Sequence, residues 1–188
     1  MSTSRTLALA ATAAVALALI VESGLASASA EASPDSTETH CVVDVIGEEP
    51  DGELILSEAR CYKTFSEAVS DASDGVVRIP AGAAGAILFQ DEGIAEALSS
   101  FTLGTHYDGY NGSGSSISIA GSSCSGGYWN TGTTWRNRIS SSHNGCGRLR
   151  HYDYANKGGS YQDTYGAGTT DNLGSLNNRT ESVSYHAS

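Results

Sequence analysis

The sequence predicts a mainly β protein, with two four-stranded units stacked as a sandwich behind a small disulfide-stapled α+β segment. Three observations predict this. A motif of the second half is duplicated, short alternating runs in both copies are bounded by Asn-Gly, Gly-Gly and Gly-Ser pairs, and four cysteines fall two to each half. Alternation with a period of two marks strands with one buried face, and glycine pairs mark the turns between them.

The chain of 188 residues carries a formal net charge of −11, and its parts are unlike one another. Residues 1–30 read as a secretory signal peptide: Arg5 gives a charged start, Leu7 to Val21 is an apolar run short of a membrane span, and Ala28-Ser29-Ala30 is a small-residue cleavage site. No later segment reaches spanning length, so the expected product is extracellular, soluble and monomeric. Residues 31–100 hold fifteen acidic and three basic residues, whereas residues 101–188 hold five acidic and six basic ones, eight of the nine tyrosines and both tryptophans. Nucleic-acid binding is excluded on this ground, because it needs a basic face to displace counterions. An even cysteine count in an exported chain implies two disulfides. Three pairings are possible; the local one, Cys41–Cys61 with Cys124–Cys146, keeps one bridge in each half and closes loops of about 20 residues, each contributing on the order of 3 kcal/mol.

In the acidic segment, 31–39 has no periodicity and reads as a disordered lead-in. Cys41-Val42-Val43-Asp44-Val45-Ile46 reads as a strand, Glu49-Pro50-Asp51-Gly52 as a turn and Leu54 to Leu56 as the return, which a Cys41–Cys61 bridge would staple near its open end. Thr64 and Glu67 form a capping box ahead of Phe65, Ala68, Val69 and Ala72 at helical spacing, and Asp74-Gly75 ends that helix. A short strand is expected over 76–80, and Asp91 is expected to cap a second helix through Ile94, Ala97 and Leu98. No catalytic pattern occurs here. The segment reads either as a domain covering the second half or as a pro-segment removed after export.

In the second half, His106-Tyr107-Asp108 recurs as His151-Tyr152-Asp153, with Asn111 on Asn156 and Gly114 on Gly159 at the same offset of 45. Further on, Asn137-Arg138-Ile139-Ser140-Ser141 aligns with Asn178-Arg179-Thr180-Glu181-Ser182 at an offset of 41. Two ordered blocks define two units, 103–143 and 148–187.

These residues resemble the βγ-crystallin superfamily in its secreted microbial members, whose Greek-key signature is an aromatic, four residues, a second aromatic, any residue and glycine. Tyr107 to Gly114 and Tyr152 to Gly159 match at both ends, while Gly112 and Lys157 stand where the second aromatic belongs. The resemblance implies two Greek-key motifs forming one βγ-crystallin-like sandwich over residues 103–187. It also implies paired calcium sites, from a signature of two Asn/Asp, two variable residues, Ser/Thr and Ser. Arg136 to Ser141 matches except at Arg136, and Asn177 to Ser182 except at Glu181. By resemblance the metal ligands are Asn137, Ser140, Asn177, Asn178 and Glu181, with Arg136 and Arg138 weakening the first site. The same Asn and Ser residues also suit turns held by side-chain-to-backbone bonds.

An enzyme is not expected. His106 and His151 are equivalent positions of a repeat, and neither a Gly-x-Ser-x-Gly elbow nor a His-Glu-x-x-His helix is present. Trp135 reads as core. Tyr128-Trp129, after Gly126-Gly127, reads as an exposed aromatic binding loop for a sugar or a protein. Asn178-Arg179-Thr180 fits a glycosylation sequon inside the repeat. The expected function is that of a secreted, non-enzymatic binding or structural protein with calcium as the one cofactor considered. The alternatives are an extracellular metalloproteinase inhibitor, presenting the loop between Cys124 and Cys146, and a carbohydrate- or cell-wall-binding or killer-toxin-like protein.

Overall fold

The computed structural model describes residues 37–188, so the signal peptide and most of the lead-in lie outside the described residues. The acidic segment opens with β1 (His40–Glu48), and β2 (Leu54–Leu56) and β3 (Arg60–Tyr62) run back along the same edge of it. The turn between β1 and β2 closes as its residues predict: Gly52, at φ 92°, donates its N–H to Glu49, and Glu53 donates to the Asp51 carboxylate. Cys41 and Cys61 face each other in the β1–β3 register and are bonded; Cys124 and Cys146 form the second bridge.

Helix α1 (Phe65–Ala72) starts at the Thr64–Glu67 capping box and buries Phe65, Ala68, Val69 and Ala72. Gly75, at φ 76°, donates to Ser70 beyond its end. Helix α2 (Glu92–Ser99) is capped by Asp91, which accepts from Ile94 N–H. The strand expected over 76–80 does not form. Val77 donates its N–H to Ser73 Oγ, and that hydroxyl donates to the Val69 carbonyl, so a serine at the helix end holds the backbone that a neighbouring strand would have had to pair.

The first repeat unit comprises β4 (Thr102–Tyr107), β5 (Ser116–Ala120), β6 (Ser125–Asn130), the single turn α3 (Gly132–Trp135) and β7 (Ser141–Asn144). The second comprises β8 (Arg148–Tyr154), β9 (Gly158–Tyr165), β10 (Thr170–Asn172) and β11 (Ser182–His186). Two sheets result. One has the order β10-β7-β4-β5-β1-β2 with β3 also on β1; the other has the order β6-β11-β8-β9. The third strand of each unit, β6 or β10, therefore lies in the other unit's sheet. The acidic segment is built into the first sheet, because β1 pairs in parallel with β5 from His40↔Ser116 to Asp44↔Ala120.

All six residues of β4 are buried, since that strand is covered on both faces. Between the sheets lies a core containing Ile117, Ile119, Trp129, Leu149, Val183 and Tyr185. On the opposite face the helices bury Phe65, Val69, Leu88, Ala95 and Leu98 against Tyr107. The described part of the acidic segment, residues 37–100, thus forms an amphipathic lid, apolar towards the sheet and acidic towards water.

The duplicated motif reappears as duplicated geometry. Asn111 and Asn156 are left-handed at φ 53° and 56°, and Gly114 and Gly159 at φ 78° and 77°. At those glycines a Cβ would collide with the carboxylates of Asp108 and Asp153. Ser141 Oγ donates to the Gly109 carbonyl at 2.6 Å and accepts from Gly112 N–H at 3.1 Å; Ser182 Oγ does the same with Tyr154 at 2.7 Å and Lys157 at 3.1 Å. Each serine ties the β4–β5 or β8–β9 loop of its own unit to the start of that unit's fourth strand. Ser141→Ala and Ser182→Ala each leave one donor and one acceptor unpaired. Each is expected to lower unfolding free energy by about 1–3 kcal/mol in urea denaturation, while Ser160→Ala, at an exposed side chain, changes it by less than about 0.5 kcal/mol.

Candidate functional site

The two calcium-like stretches face each other across the pseudo-twofold between the units. Trp135 and Leu176, both buried, anchor the loops that carry them. Asn137 and Asn178 are left-handed at φ 57° and 54°, a conformation that Asn tolerates better than most residues. Their N–H groups cross over: Asn137 donates to the Thr180 carbonyl at 2.9 Å, and Asn178 to the Ile139 carbonyl at 3.0 Å. The structure therefore brings together the residues that the resemblance groups as ligands.

The side-chain oxygens of Ser140, Asn178 and Glu181 are engaged. Ser140 Oγ lies 2.9 Å from the Asp108 carbonyl and 3.1 Å from Asn178 Oδ1. Glu181, the single carboxylate of the set, accepts from Arg136 at 2.7 Å. The neighbouring carboxylates are engaged as well, Asp108 with Arg138 at 2.7 Å and Asp153 with Arg179 at 3.2 Å. Asn177 Oδ1 is buried without a partner. Calcium takes six to eight oxygen ligands. As placed, these loops offer a cation little charge: the one carboxylate of the set is already neutralised by a guanidinium. Among the described residues no group of three or more His, Cys, Asp or Glu is arranged to hold a metal ion.

A second constellation has no sequence signal beyond the duplicated histidine. Tyr185 OH lies 3.0 Å from His106 Nε2, His106 Nδ1 lies 2.8 Å from Ser142 Oγ, and Ser142 Oγ lies 2.9 Å from His151 Nε2. With both imidazoles neutral, one proton per ring satisfies all three bonds. Ser142 stands opposite His106 in the β4–β7 register, and the two rings meet edge to face, 5.6 Å apart, between the sheets. Serine beside histidine is the pairing of an activated nucleophile, but all four side chains are fully buried. No substrate reaches them.

The expected binding loop is corrected. Tyr128 and Trp129 are 2% and 7% exposed and lie inside β6, so the glycines before them belong to a strand. Trp129 stacks on His106 in the inter-sheet core. Tyr128 points the other way, where the β1–β2 turn closes over it: its N–H donates to the Gly52 carbonyl at 2.9 Å, its OH donates to Asp51 at 3.1 Å, and Lys157 lies over its ring. A hairpin from the acidic segment thus covers an aromatic that the sequence alone leaves looking free. Trp135 is core, as expected, with Arg138 over its indole. Among the described residues no helix is long and apolar enough to cross a membrane. Comparison with known protein families, with curated proteins and with solved structures finds no match for this chain.

Burial lowers the pKa of His143 and of His151 to about 4 and that of His106 well below its usual 6.5. The groups facing His106 are His151 and His143, which disfavour its protonation further; Asp163 favours protonation of His151 but is outweighed by burial. The unfolded chain therefore binds more protons than the folded one below pH 6.5. Stability is fully present above that pH and falls on acidification towards pH 4, by about 1.4 kcal/mol per pH unit for each histidine. Urea midpoints are expected to be flat from about pH 8 to 7 and to fall steeply below 6.5. His143→Leu should shallow the slope, since neither ring nitrogen of His143 has a partner to lose.

Proposed function

We propose that this chain is a secreted, non-enzymatic binding or structural module of βγ-crystallin-like type, with its acidic segment retained as part of the folded product. The observation that carries the reading is the exchange of third strands between two units that share one loop motif. In support of a non-catalytic role, the Tyr185–His106–Ser142–His151 chain is sealed in the core, and the polar residues of the repeat bond to one another. Two disulfides are compatible with an oxidising compartment. Retention of 31–100 follows from packing: removing it would strip β1 from β5 and uncover the helix-side face of β4. Intact-mass analysis of the exported protein should therefore find a chain beginning near Glu31 with both disulfides formed. A product lacking 31–100, or one still carrying residues 1–30, overturns the reading.

Calcium enters this reading only as a weak ligand, because it must displace Arg136 from Glu181. Calorimetric titration should give a dissociation constant no tighter than about 10⁻³ M for the native chain. Arg136→Ala, which frees the carboxylate, should tighten it roughly tenfold; absence of heat from that variant removes calcium altogether.

A further inference from the structure

The outer face of the second sheet is covered at one end and bare at the other. At the β6 end the β1–β2 turn and Lys157 close over Tyr128. At the β8–β9 end the outward positions are the cross-strand pairs Arg148↔Tyr165, Arg150↔Asp163 and Tyr152↔Tyr161, while the intervening Leu149 and His151 point into the core. Tyr154, Tyr161 and Tyr165 are 62%, 55% and 63% exposed.

These side chains are held in place. The Arg150 guanidinium lies 3.7 Å from the Tyr161 ring centre and makes two bonds to Asp163, at 2.6 and 2.8 Å. Tyr165 OH donates to the same carboxylate at 2.9 Å, and Tyr152 packs against Tyr161 with centroids 6.2 Å apart. Asp163 is correspondingly held below the usual carboxylate range, chiefly by Arg150. Arginine and carboxylate cancel, leaving Arg148 as the one uncompensated charge among these outward pairs. Tyr161 and Tyr165 lie on the same face of β9, about 14 Å apart along the strand. No aliphatic side chain stands at an outward position of β8, β9 or β11.

We propose that this face binds an uncharged β-linked polysaccharide, with Tyr161 and Tyr165 stacking on the C–H faces of separate sugar units. The argument is complementarity of charge and chemistry. β-Linked pyranose polymers present flat C–H faces rimmed by hydroxyls; the tyrosines offer half-exposed rings, Tyr161 on the side away from Arg150 and Tyr165 with its hydroxyl fixed by Asp163. The closed Arg150–Asp163 pair gives no net field to attract a polyanion, which needs several free cations. A hydrophobic protein partner would meet no aliphatic anchor. The proposal rests on the non-enzymatic reading above and assigns that module its ligand.

The test is depletion of the full secreted protein by insoluble chitin, β-1,3-glucan and β-1,4-glucan. One of them should retain it, unaffected by about 0.5 M sodium chloride because the contact is not ionic. The double variant Tyr161→Ala, Tyr165→Ala should bind roughly tenfold more weakly with its melting transition kept. The corresponding double phenylalanine variant should retain binding through its rings, and Tyr110→Ala, on the first unit's loop, should bind as the native chain does. No depletion by any of the three, retention abolished by salt, or equal binding by the alanine variant overturns the polysaccharide site. Soluble sugar released from a retaining polymer overturns the non-enzymatic reading instead, so the two failures are distinguishable.

Discussion

Each repeat unit is one strand short of its own sheet. A unit contributes its first, second and fourth strands to one layer and sends its third into the other, so neither layer closes without both units. The interior then has to be shared. Trp129 of the first unit and Val183 and Tyr185 of the second meet in one core, and His106 and His151, equivalent in sequence, touch across it. The loops follow the same exchange. Asn172 on the third strand of the second unit bonds reciprocally with Asn111 of the first, at 2.7 and 2.6 Å, and Asn130 does the same with Asn156, at 2.8 Å in both directions. A duplicated sequence has become an interlocked pair, in which packing energy and loop geometry depend on both copies at once.

The acidic segment solves a problem that this pair creates. A four-stranded layer facing water needs a polar outer face, and the second sheet has one. The first sheet does not: its outer side carries Tyr107 among buried positions of β4, which need cover. The helices provide it with alanines and leucines at helical spacing, while their other side carries the carboxylates. Where those carboxylates meet a cation they do so locally, as Asp44 and Asp71 do around Arg60. Such partly exposed pairs contribute little to stability, of order 0–1 kcal/mol. The lid is held by apolar burial and by β1 lying in the sheet.

Local signals were legible wherever chemistry and position coincide within a few residues. The capping box, the Asp91 cap, the left-handed ends and the duplicated loops all read correctly, because each is decided by neighbours in the chain. The repeat also located the paired loops, since Asn137 and Asn178 occupy equivalent places. What did not read was anything decided by long-range cover. Tyr128 and Trp129 follow two glycines and look like a tip, yet the β1–β2 turn, more than seventy residues earlier, closes over the first and the second sheet's core takes the other. The apolar residues of 76–80 favour a strand, but with Ser73 holding Val77 there is no free edge. Conversely, Tyr161 and Tyr165 alternate with polar residues as any half-buried strand does, and only the third dimension shows which side is bare. Ser142 sits in a serine run that distinguishes no member from the next; its pairing opposite His106 is a matter of register.

The calcium-like loops show how one geometry admits two electrostatic solutions. Two left-handed asparagines, crossed backbone bonds and a carboxylate on one side make a concave group of oxygens that a divalent cation or a guanidinium can neutralise. In this chain the residue that departs from the metal signature in the first stretch, Arg136, reaches the residue that departs from it in the second, Glu181. The two departures are therefore a single substitution in physical terms: a tethered cation paired with an added carboxylate. A tethered charge needs no free ion and loses no translational freedom on binding, so it holds the loops in the absence of calcium. Its attraction is weaker, because one guanidinium supplies a single positive charge at an exposed edge where water screens it. Arg138 on Asp108 and Arg179 on Asp153 repeat the arrangement one step away, at the equivalent place in each unit. Arginine thus neutralises the carboxylates throughout the loop system.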